Sequence, residues 1–485
     1  MRRAGEIYSF GPFQLDPARR RLMRGREPIA LPDRHIDILL LLASSADQIV
    51  SKDALIEAAW KDVAVGDNSL EQAISSLRRT LGNQDDGTPF IETLARRGYR
   101  FNAAVERHHA RQSDEALDSL LAPYRAFVEG RAALETLDRD AIARARQAFA
   151  QALVTAPDHP SAHIGMANAC VLGFESTRTD ASPDIAALQQ AGHHAREGCR
   201  LDPGSGEAWS TLAFVLHRAG EGLEAIAAAR RAVTLEPDDW RHHLRLAFVS
   251  WGEERLRAVQ RVLALCPGLA LAYWFSATVF VARQAFGAAE EQLRAGCTAQ
   301  DAQRKESGRF NAVGLHLLHG LVLAAQGAEE RALEEFAHEL AFEDEGQLYA
   351  RECCANTWYA SGAIRLRQDR HADAVAAFQE ALNRVPGHPL ASIGLAAARR
   401  TSPETASFGR LLHPAPNIVD AAMLKAAVLA LHGKHVEAAQ ACGDALARAK
   451  PGPAGWLLPV DPLLHVPAHR DAWAQTLAAL RDRAA

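Results

Sequence analysis

One predicted helix combines an apolar face with a polar face suited to nucleic-acid chemistry. At 100° per residue, residues 68–81 (NSLEQAISSLRRTL) bring one set of aliphatic side chains together: Leu70, Ile74, Leu77 and Leu81. Asn68 is placed to cap this helix, with Glu71 closing a capping box. The polar side carries the candidate contacts, which are Asn68, Glu71, Gln72, Ser75, Ser76, Arg78 and Arg79. Such side chains read base edges or hold phosphates, and an ordinary solvated face is the alternative.

A basic hairpin is predicted shortly after this helix. The stretch FIETLARRGYRF indicates two strands, residues 90–94 and 99–101, around a turn closed by Gly98. Arg96 and Arg97 lie at the tip of the turn, where guanidinium groups suit a minor groove or phosphates. The hairpin therefore favours nucleic-acid contact over a merely solvated helix face.

The preceding elements complete a small α+β domain. Strand patterns are followed by helical patterns, at residues 8–15, 21–22 and 29–31 for the strands and at 33–44, 52–60 and 68–81 for the helices. A sheet, three helices and a terminal hairpin, in that order, predict a winged helix-turn-helix domain over residues 1–105. Residues 106–120 are polar and are assigned to a linker.

Prolines mark a helical repeat in the rest of the chain. Pro203 and Pro237 are 34 residues apart, and Pro237 and Pro267 are 30 apart. The unit between the first two has a tryptophan in its first helix, a glycine at the turn and a proline at its end. This layout resembles the tetratricopeptide repeat, whose helix pairs stack to bury their apolar faces. We predict a mainly α fold, with a tetratricopeptide-like α-solenoid over residues 121–450 and a capping segment over 451–485.

The N-terminal segment resembles a known family of DNA-binding domains. LIEAAWKDVAVGDNSLEQAISSLRRTLG followed by FIETLARRGYRF is similar to the OmpR/PhoB-type winged-helix domain, over roughly residues 8–103. The similarity is to the one-component, CadC-like and HilA-like members, which lack a receiver domain. In that family the third helix enters the major groove and the hairpin forms the wing. The resemblance adds Thr93 to the wing contacts and implies a regulator that binds double-stranded promoter DNA, as an activator rather than a repressor.

The distribution of charge leaves a second interpretation open. The chain carries 54 Lys and Arg and 59 Asp and Glu, so its net charge of −5 excludes a uniformly basic protein that coats nucleic acid. Residues 1–107 carry 16 basic and 15 acidic side chains, a balance of +1. Ser75 and Ser76 also stand where the family often has basic residues. The alternative is a tetratricopeptide-like interaction scaffold whose winged-helix module does not bind DNA.

The solenoid is expected to receive a protein partner or a signal, because stacked helix pairs offer a long concave surface. The partners considered are RNA polymerase or another protein, a second copy of the chain, and a small-molecule effector. Trp274, Trp358 and Tyr359 could line a ligand groove, although aromatic residues of this kind more often pack in a core.

No sequence pattern supports catalysis. The motifs GxxxxGK[ST], GxGxxG, HExxH and GxSxG are absent, so the chain is not expected to be an enzyme, and no cofactor is predicted. His316 and His319 are three residues apart on an apolar helix, but hydrogen-bonded histidines are favoured there and no metal is predicted. Cys353 and Cys354 are expected to be small buried residues, with redox or metal sensing as the alternative.

A cytoplasmic protein fits the cysteine pattern. The seven cysteines are scattered without CxxC spacing, and a chain of this length needs no disulfide framework. Residues 262–282 carry no charge over 21 positions, long enough to span a bilayer. Pro267 and Gly268 interrupt this stretch, so we predict a loop and a buried helix, and no membrane association.

Overall fold

A computed structural model of the chain describes residues 6–17, 19–25, 27–60, 67–84, 86–95, 97–109, 128, 130, 139–306, 312–343, 348–400 and 418–485. The strands are β1 (Glu6–Phe10), β2 (Phe13–Asp16), β3 (Arg21–Arg24), β4 (Glu27–Ile29), β5 (Ile49–Val50), β6 (Ile91–Leu94), β7 (Gly98–Phe101) and β8 (Glu106–His109). The helices among them are α1 (Asp33–Ser44), α2 (Lys52–Ala59) and α3 (Asp67–Leu81).

The remaining helices follow one another without strands between them among the described residues. They are α4 (Arg139–Thr155), α5 (Pro160–Thr177), α6 (Ile185–Leu201), α7 (Gly206–Arg218), α8 (Gly222–Leu235), α9 (Trp240–Val249), α10 (Gly252–Leu265), α11 (Ala270–Ala282), α12 (Phe286–Glu306), α13 (Leu315–Ala325), α14 (Glu329–Leu340), α15 (Ala350–Arg367), α16 (His371–Arg384), α17 (Pro389–Ala398), α18 (Ile418–Leu431), α19 (His435–Arg448) and α20 (Arg470–Arg483).

Two sheets flank the three N-terminal helices. The first sheet has the antiparallel order β4-β3-β2-β1-β8, and the second has the order β5-β7-β6. The predicted single strand over residues 8–15 is wrong, because Gly11 and Pro12 form a turn between β1 and β2, which pair with Phe10 opposite Phe13. Gly11 has φ +51°, a conformation that glycine adopts without steric cost. The three predicted helices and the terminal hairpin are confirmed to within one residue.

Strand β8 extends the first sheet into residues that the sequence assigns to the linker. It pairs antiparallel with β1, with Ile7 opposite His108 and Ser9 opposite Glu106. The N-terminal domain thus includes residues up to His109, whereas most of the predicted linker, residues 110–120, lies outside the described part of the chain.

Neighbouring helices of the solenoid pack in pairs of the tetratricopeptide-like kind, namely α7 with α8, α11 with α12, α13 with α14, α15 with α16, and α18 with α19. Helices α7, α9 and α11 begin at residues 206, 240 and 270, which reproduces the predicted spacing of 34 and then 30 residues. Within a pair the connection is short, as between α7 and α8, and the two helices pack on each other. The fold is therefore mainly α, with an N-terminal winged helix-turn-helix domain followed by a helical solenoid.

One packing arrangement recurs in this solenoid. Phe149, Phe336 and Phe378 are each at most 1% exposed. A methyl group on the facing glycine would lie 2.3 Å from the ring in each case; the glycines are Gly165, Gly320 and Gly394. Aromatic side chains on α4, α14 and α16 therefore lie directly against these glycines, and larger residues there would force the helices apart.

The uncharged stretch 262–282 is a turn and a buried helix, as predicted. Helix α10 ends at Leu265, and α11 begins at Ala270 and contributes several fully buried residues to the core. Among the residues described, no helix combines the length and apolar character needed to cross a membrane.

The last helix packs on the helix before it. At the C-terminus, Trp473 of α20 is fully buried and Thr476 Oγ1 donates to the Ala439 carbonyl of α19 at 2.8 Å.

The chain divides into two compact units. The first contains the described residues of 1–136 together with 140–170 and 189–242, and the second contains 137–139, 171–188 and 243–485. The winged-helix domain and the first repeats thus belong to the same unit.

Gly98 at the start of β7 generates the first testable prediction. Its φ is +125°, and a Cβ atom would lie 2.1 Å from the Val50 carbonyl oxygen and 2.9 Å from Ser51 Cα. Gly98→Ala should therefore destabilise the hairpin by roughly 2 kcal/mol or more. Hydrogen exchange of the segment 91–101 in the full-length protein should become faster. The matched control is Gly25→Ala, where φ is +61° and the added Cβ meets open space, which should cost about 1 kcal/mol. Equal effects of the two substitutions would contradict the prediction.

Candidate nucleic-acid interface

Helix α3 exposes the predicted polar surface because its aliphatic face is buried in the core of the domain. Leu70, Ile74, Leu77 and Leu81 are all buried, which confirms the predicted apolar face. On the other side, Glu71, Gln72, Ser75 and Arg79 are exposed, whereas Ser76 and Arg78 are half-buried. Asn68 lies in the first turn of α3, but its side chain lies outside the described residues.

Two of the candidate side chains on α3 contact neighbouring elements. Glu71 Oε1 accepts a hydrogen bond from Lys52 Nζ of α2 at 3.0 Å. Arg78 Nε donates to the Ile91 carbonyl at 2.9 Å, and Arg78 Nη2 donates to Thr93 Oγ1 at 2.6 Å. Arg78 therefore links α3 to β6. This places Arg78 as a positioning residue as well as a contact candidate, a role that sequence spacing did not reveal.

The hairpin of β6 and β7 forms the predicted wing. Its register pairs Thr93 with Tyr99 and Leu94 with Gly98, and the Arg97 amide donates to the Leu94 carbonyl at 2.9 Å to close the turn. Thr93 and Arg97 are exposed, so both are accessible to a ligand. Arg96 lies outside the described residues.

An ion pair braces the two strands of the wing. Arg100 Nη2 on β7 lies 2.5 Å from Glu92 Oε2 on β6. The hydrogen bond from Arg100 lowers the pKa of the Glu92 carboxyl, so the acid stays ionised and paired. One of the three arginines of the hairpin, Arg96, Arg97 and Arg100, thus pairs within the hairpin and is not available to phosphate.

Four phenylalanine rings fasten the wing to the first sheet. Phe10 and Phe101 meet edge to face with centroids 5.0 Å apart, and Phe13 and Phe90 do so at 5.6 Å. All four rings are at most 2% exposed. Edge-to-face aromatic pairs add stabilisation beyond their buried area. The wing is therefore held by packing at its base and by Arg78 along its side.

Helix α1 of the same domain contacts the first repeats. Arg34 pairs with Asp239 and lies 3.8 Å from Glu236 Oε2, both between α8 and α9. Ser161 Oγ of α5 donates to Asp33 Oδ2 at 2.7 Å. The candidate contacts on α3 and the wing take no part in these bonds.

Burial disfavours the charged forms of the side chains that make this contact. Burial alone would raise the pKa of Asp239, but the charges of Arg34, His242 and Arg241 together with a backbone hydrogen bond outweigh it and hold the pKa well below its usual range. Burial likewise opposes the charge of Arg34, yet Asp239 and Glu236 raise its pKa above the ordinary value. Burial lowers the pKa of the adjacent His35 to about 4. The positive charge of Arg34 and the negative charge of Asp239 therefore stabilise each other.

Two clusters of metal-ligand-type side chains occur in the described ranges. In the first, Glu236, Asp239 and His242 converge, but Arg34 already supplies the positive charge there. The second brings Cys297, His316 and Glu335 together. At this second position the sequence predicted hydrogen-bonded histidines.

The other sequence candidates lie in the second unit, where Tyr359 and Cys354 are buried and the others are half-buried. The Tyr359 hydroxyl is buried and donates to Asp461 Oδ2 at 3.0 Å, and Trp274 packs edge to face on Trp456. The Trp358 ring lies 5.7 Å from the Arg384 guanidinium carbon. Cys354 is buried, and burial raises the pKa of the neighbouring Cys353 thiol well above its ordinary value. These contacts agree with packing, the interpretation that the sequence favoured.

The N-terminal domain and the helical repeats together define a class of protein, a winged-helix module joined to a tetratricopeptide-like solenoid. Residues 25–101 match the family model described as "Transcriptional regulatory protein, C terminal". The chain thus carries an OmpR/PhoB-type DNA-binding domain at its N-terminus, as the sequence predicted.

Similar proteins and solved structures cover different shares of this chain. Over 84 residues the chain is 38% identical to the transcriptional regulator HilA of Salmonella typhimurium, an alignment that spans 17% of this chain and only 15% of that protein. The DNA-binding domain of Escherichia coli CadC is 28% identical over 22% of this chain and all of that chain, with a TM-score of 0.20. A tetratricopeptide repeat protein from Parabacteroides merdae is 13% identical over 57% of this chain and 99% of that one, with a TM-score of 0.39.

The Arg34 contact generates the second testable prediction. Arg34→Glu would place a third carboxylate beside Asp239 and Glu236, and breaking a buried ion pair in this way costs about 3–5 kcal/mol. We expect faster hydrogen exchange in residues 236–242 of the full-length variant. The control is Arg144→Glu, a charge reversal at an exposed position of α4. Unchanged exchange in the Arg34 variant, or equal changes in both variants, would contradict the contact.

Proposed function

We propose that this protein is a sequence-specific DNA-binding transcription regulator, acting as an activator. The observation that carries the proposal is the exposed polar side of α3, which lies next to a wing whose strand β6 is hydrogen-bonded to Arg78 of α3. A helix with this surface fits a major groove, and an adjacent hairpin reaches phosphates or a minor groove. The partner is double-stranded DNA of a promoter region.

The proposed contacts have different tasks. Gln72 and Ser75 are exposed in the middle of α3, where amide and hydroxyl groups suit base edges. Arg79 and Arg97 are exposed guanidinium groups suited to phosphates. The full proposed set is Asn68, Glu71, Gln72, Ser75, Ser76, Arg78, Arg79, Thr93, Arg96 and Arg97. Arg78 and Thr93 already bond to each other, so their main effect on DNA binding would be to hold the wing.

We further propose that the repeats transmit a signal to the DNA-binding domain through α1. The Arg34 ion pairs and the Ser161 hydrogen bond connect that helix to the first repeats. A protein such as RNA polymerase, a second copy of the chain, or a small effector that favours one arrangement of these repeats would shift the population of the arrangement that binds DNA.

A scaffold without DNA binding is the second candidate function. Glu71 is paired with Lys52, and Arg78 with Thr93, so fewer of the candidate side chains are available to DNA. The near balance of charge in residues 1–107 points the same way. This candidate predicts partner binding by the repeats and only weak, unselective contact with DNA.

Binding of the full-length protein to DNA across a salt series is the third testable prediction. DNA from upstream of its own gene should bind more tightly than unrelated DNA of equal length at every salt concentration. Arg79→Ala should weaken binding to both and reduce the slope of log K against log salt by about 1. Gln72→Ala should cost about 1–3 kcal/mol on the preferred DNA only.

The control for these variants is Arg144→Ala, which removes an exposed arginine from α4 and should change neither affinity nor slope. Equal binding of both DNAs that disappears with salt, and that responds alike to the Arg79 and Arg144 substitutions, would favour the scaffold.

A further inference from the structure

Three consecutive helices of the second unit bring four ligand-type side chains together. Cys297 lies on α12, His316 and His319 lie on α13, and Glu335 lies on α14. Cys297 Sγ is 3.7 Å from His316 Nδ1, and His316 Nδ1 is 2.6 Å from Glu335 Oε2. His319 Nδ1 is 3.2 Å from Glu335 Oε1. The two histidines are three residues apart, so they project from the same side of α13.

The start of α13 is fixed by a separate set of bonds. Gly314 precedes the helix with φ +92°, and its amide donates to Glu339 Oε1 at 2.6 Å. The Leu317 amide donates to the second oxygen of the same carboxylate at 3.1 Å. Glu339 is 1% exposed and lies one turn beyond Glu335 on α14. The backbone that carries the two histidines is therefore anchored to the helix that carries the carboxylate.

His319 is incompletely satisfied by its protein neighbours. It is 5% exposed, and neither ring nitrogen makes a hydrogen bond of acceptable geometry within the described residues. A buried imidazole without partners is costly, because it has lost its hydrogen bonds to water. Its Nδ1 nevertheless points into the cluster, 3.2 Å from Glu335. An electron-pair acceptor placed among the four side chains would satisfy it.

The donor set and the distances suit one class of ion. Zinc binds thiolate, imidazole and carboxylate in a tetrahedron, with Zn–S of about 2.3 Å and Zn–N or Zn–O of about 2.0–2.2 Å. Those bond lengths imply a sulfur–nitrogen edge of about 3.6 Å and a nitrogen–oxygen edge of about 3.4 Å. The separations of 3.7 Å from Cys297 to His316 and 3.2 Å from His319 to Glu335 are close to these edges. His316 and Glu335 would have to separate by roughly 0.8 Å. His319 would also have to move closer to Cys297 and His316, because the ligand atoms that converge to within 4.8 Å of one another are those of Cys297, His316 and Glu335.

We propose that Cys297, His316, His319 and Glu335 form a tetrahedral zinc site that cross-links α12, α13 and α14. Three of the four side chains are half-buried rather than sealed, which leaves a route for the ion to enter. Four protein ligands close the coordination sphere, so the site is structural and holds two neighbouring repeats together. The inference goes beyond DNA binding and does not depend on it.

The test is metal loading of the full-length protein with Zn²⁺ and with Co²⁺ as a spectroscopic probe. We expect one tightly held ion per chain, visible absorption of tetrahedral Co²⁺, and a thiolate-to-cobalt charge-transfer band in the near ultraviolet. Cys297→Ser should abolish the charge-transfer band, and His319→Ala should weaken Zn²⁺ binding at least 10-fold. Circular dichroism of the metal-free variants checks that they are folded.

Matched controls are available in the same unit. Cys353→Ser removes another half-buried thiol, and His338→Ala removes a ring that packs 5.4 Å from His316 without joining the cluster. Both should keep the charge-transfer band and the wild-type affinity. Loss of the band in Cys353→Ser but not in Cys297→Ser would overturn the assignment.

X-ray absorption of the zinc-loaded wild type tests the site without any variant. One sulfur at about 2.3 Å and three nitrogen or oxygen neighbours at about 2.0–2.1 Å are expected. A shell without sulfur, a shell with several sulfurs, or a failure of the protein to retain Zn²⁺ after desalting would each refute the proposal.

Discussion

Four phenylalanine rings and one arginine determine how the wing lies against α3. Phe10 and Phe101 join the two sheets at the base of the hairpin, and Arg78 bonds to Ile91 and Thr93 along its edge. Burial of the aromatic rings stabilises the packing of the wing on the first sheet. Arg78 fixes the orientation of β6 relative to α3, because its guanidinium donors have fixed directions. A DNA-binding surface made of a helix and a hairpin has a defined shape only while both interactions persist.

Periodicity was sufficient to predict α3 and its two faces, because the positions of Leu70 and Ile74 depend only on helical geometry. The hairpin followed from its turn chemistry at Gly98. The bonds from Arg78 to β6 could not be predicted in the same way, since they join residues 13 and 15 positions apart whose distance depends on tertiary packing. The dipeptide Gly11-Pro12 is a turn signal in the sequence, and it accounts for the break between β1 and β2.

In the solenoid, too, some features can be predicted from the local sequence and others depend on contacts between distant residues. Prolines and glycines reveal the repeat spacing, but the repeated contact of a phenylalanine with a facing glycine appears only when helices are stacked. The side-chain cluster around His316 depends even more on tertiary structure, because Cys297 and Glu335 come from the preceding and following helices. Spacing along the chain identified the two histidines and favoured hydrogen bonding. The chemistry of the cluster becomes visible only in three dimensions, as does the contact of Arg34 with Asp239.

We propose that α3 and the wing together select a DNA sequence. Enrichment of double-stranded DNA from a random pool by the full-length protein, at physiological salt, measures this selection. We expect the wild type to enrich one related set of sequences, and a variant with Gln72, Ser75 and Arg79 all replaced by alanine to enrich none. Absence of enrichment by the wild type, or the same enriched sequences with the variant, would show that this surface does not select DNA.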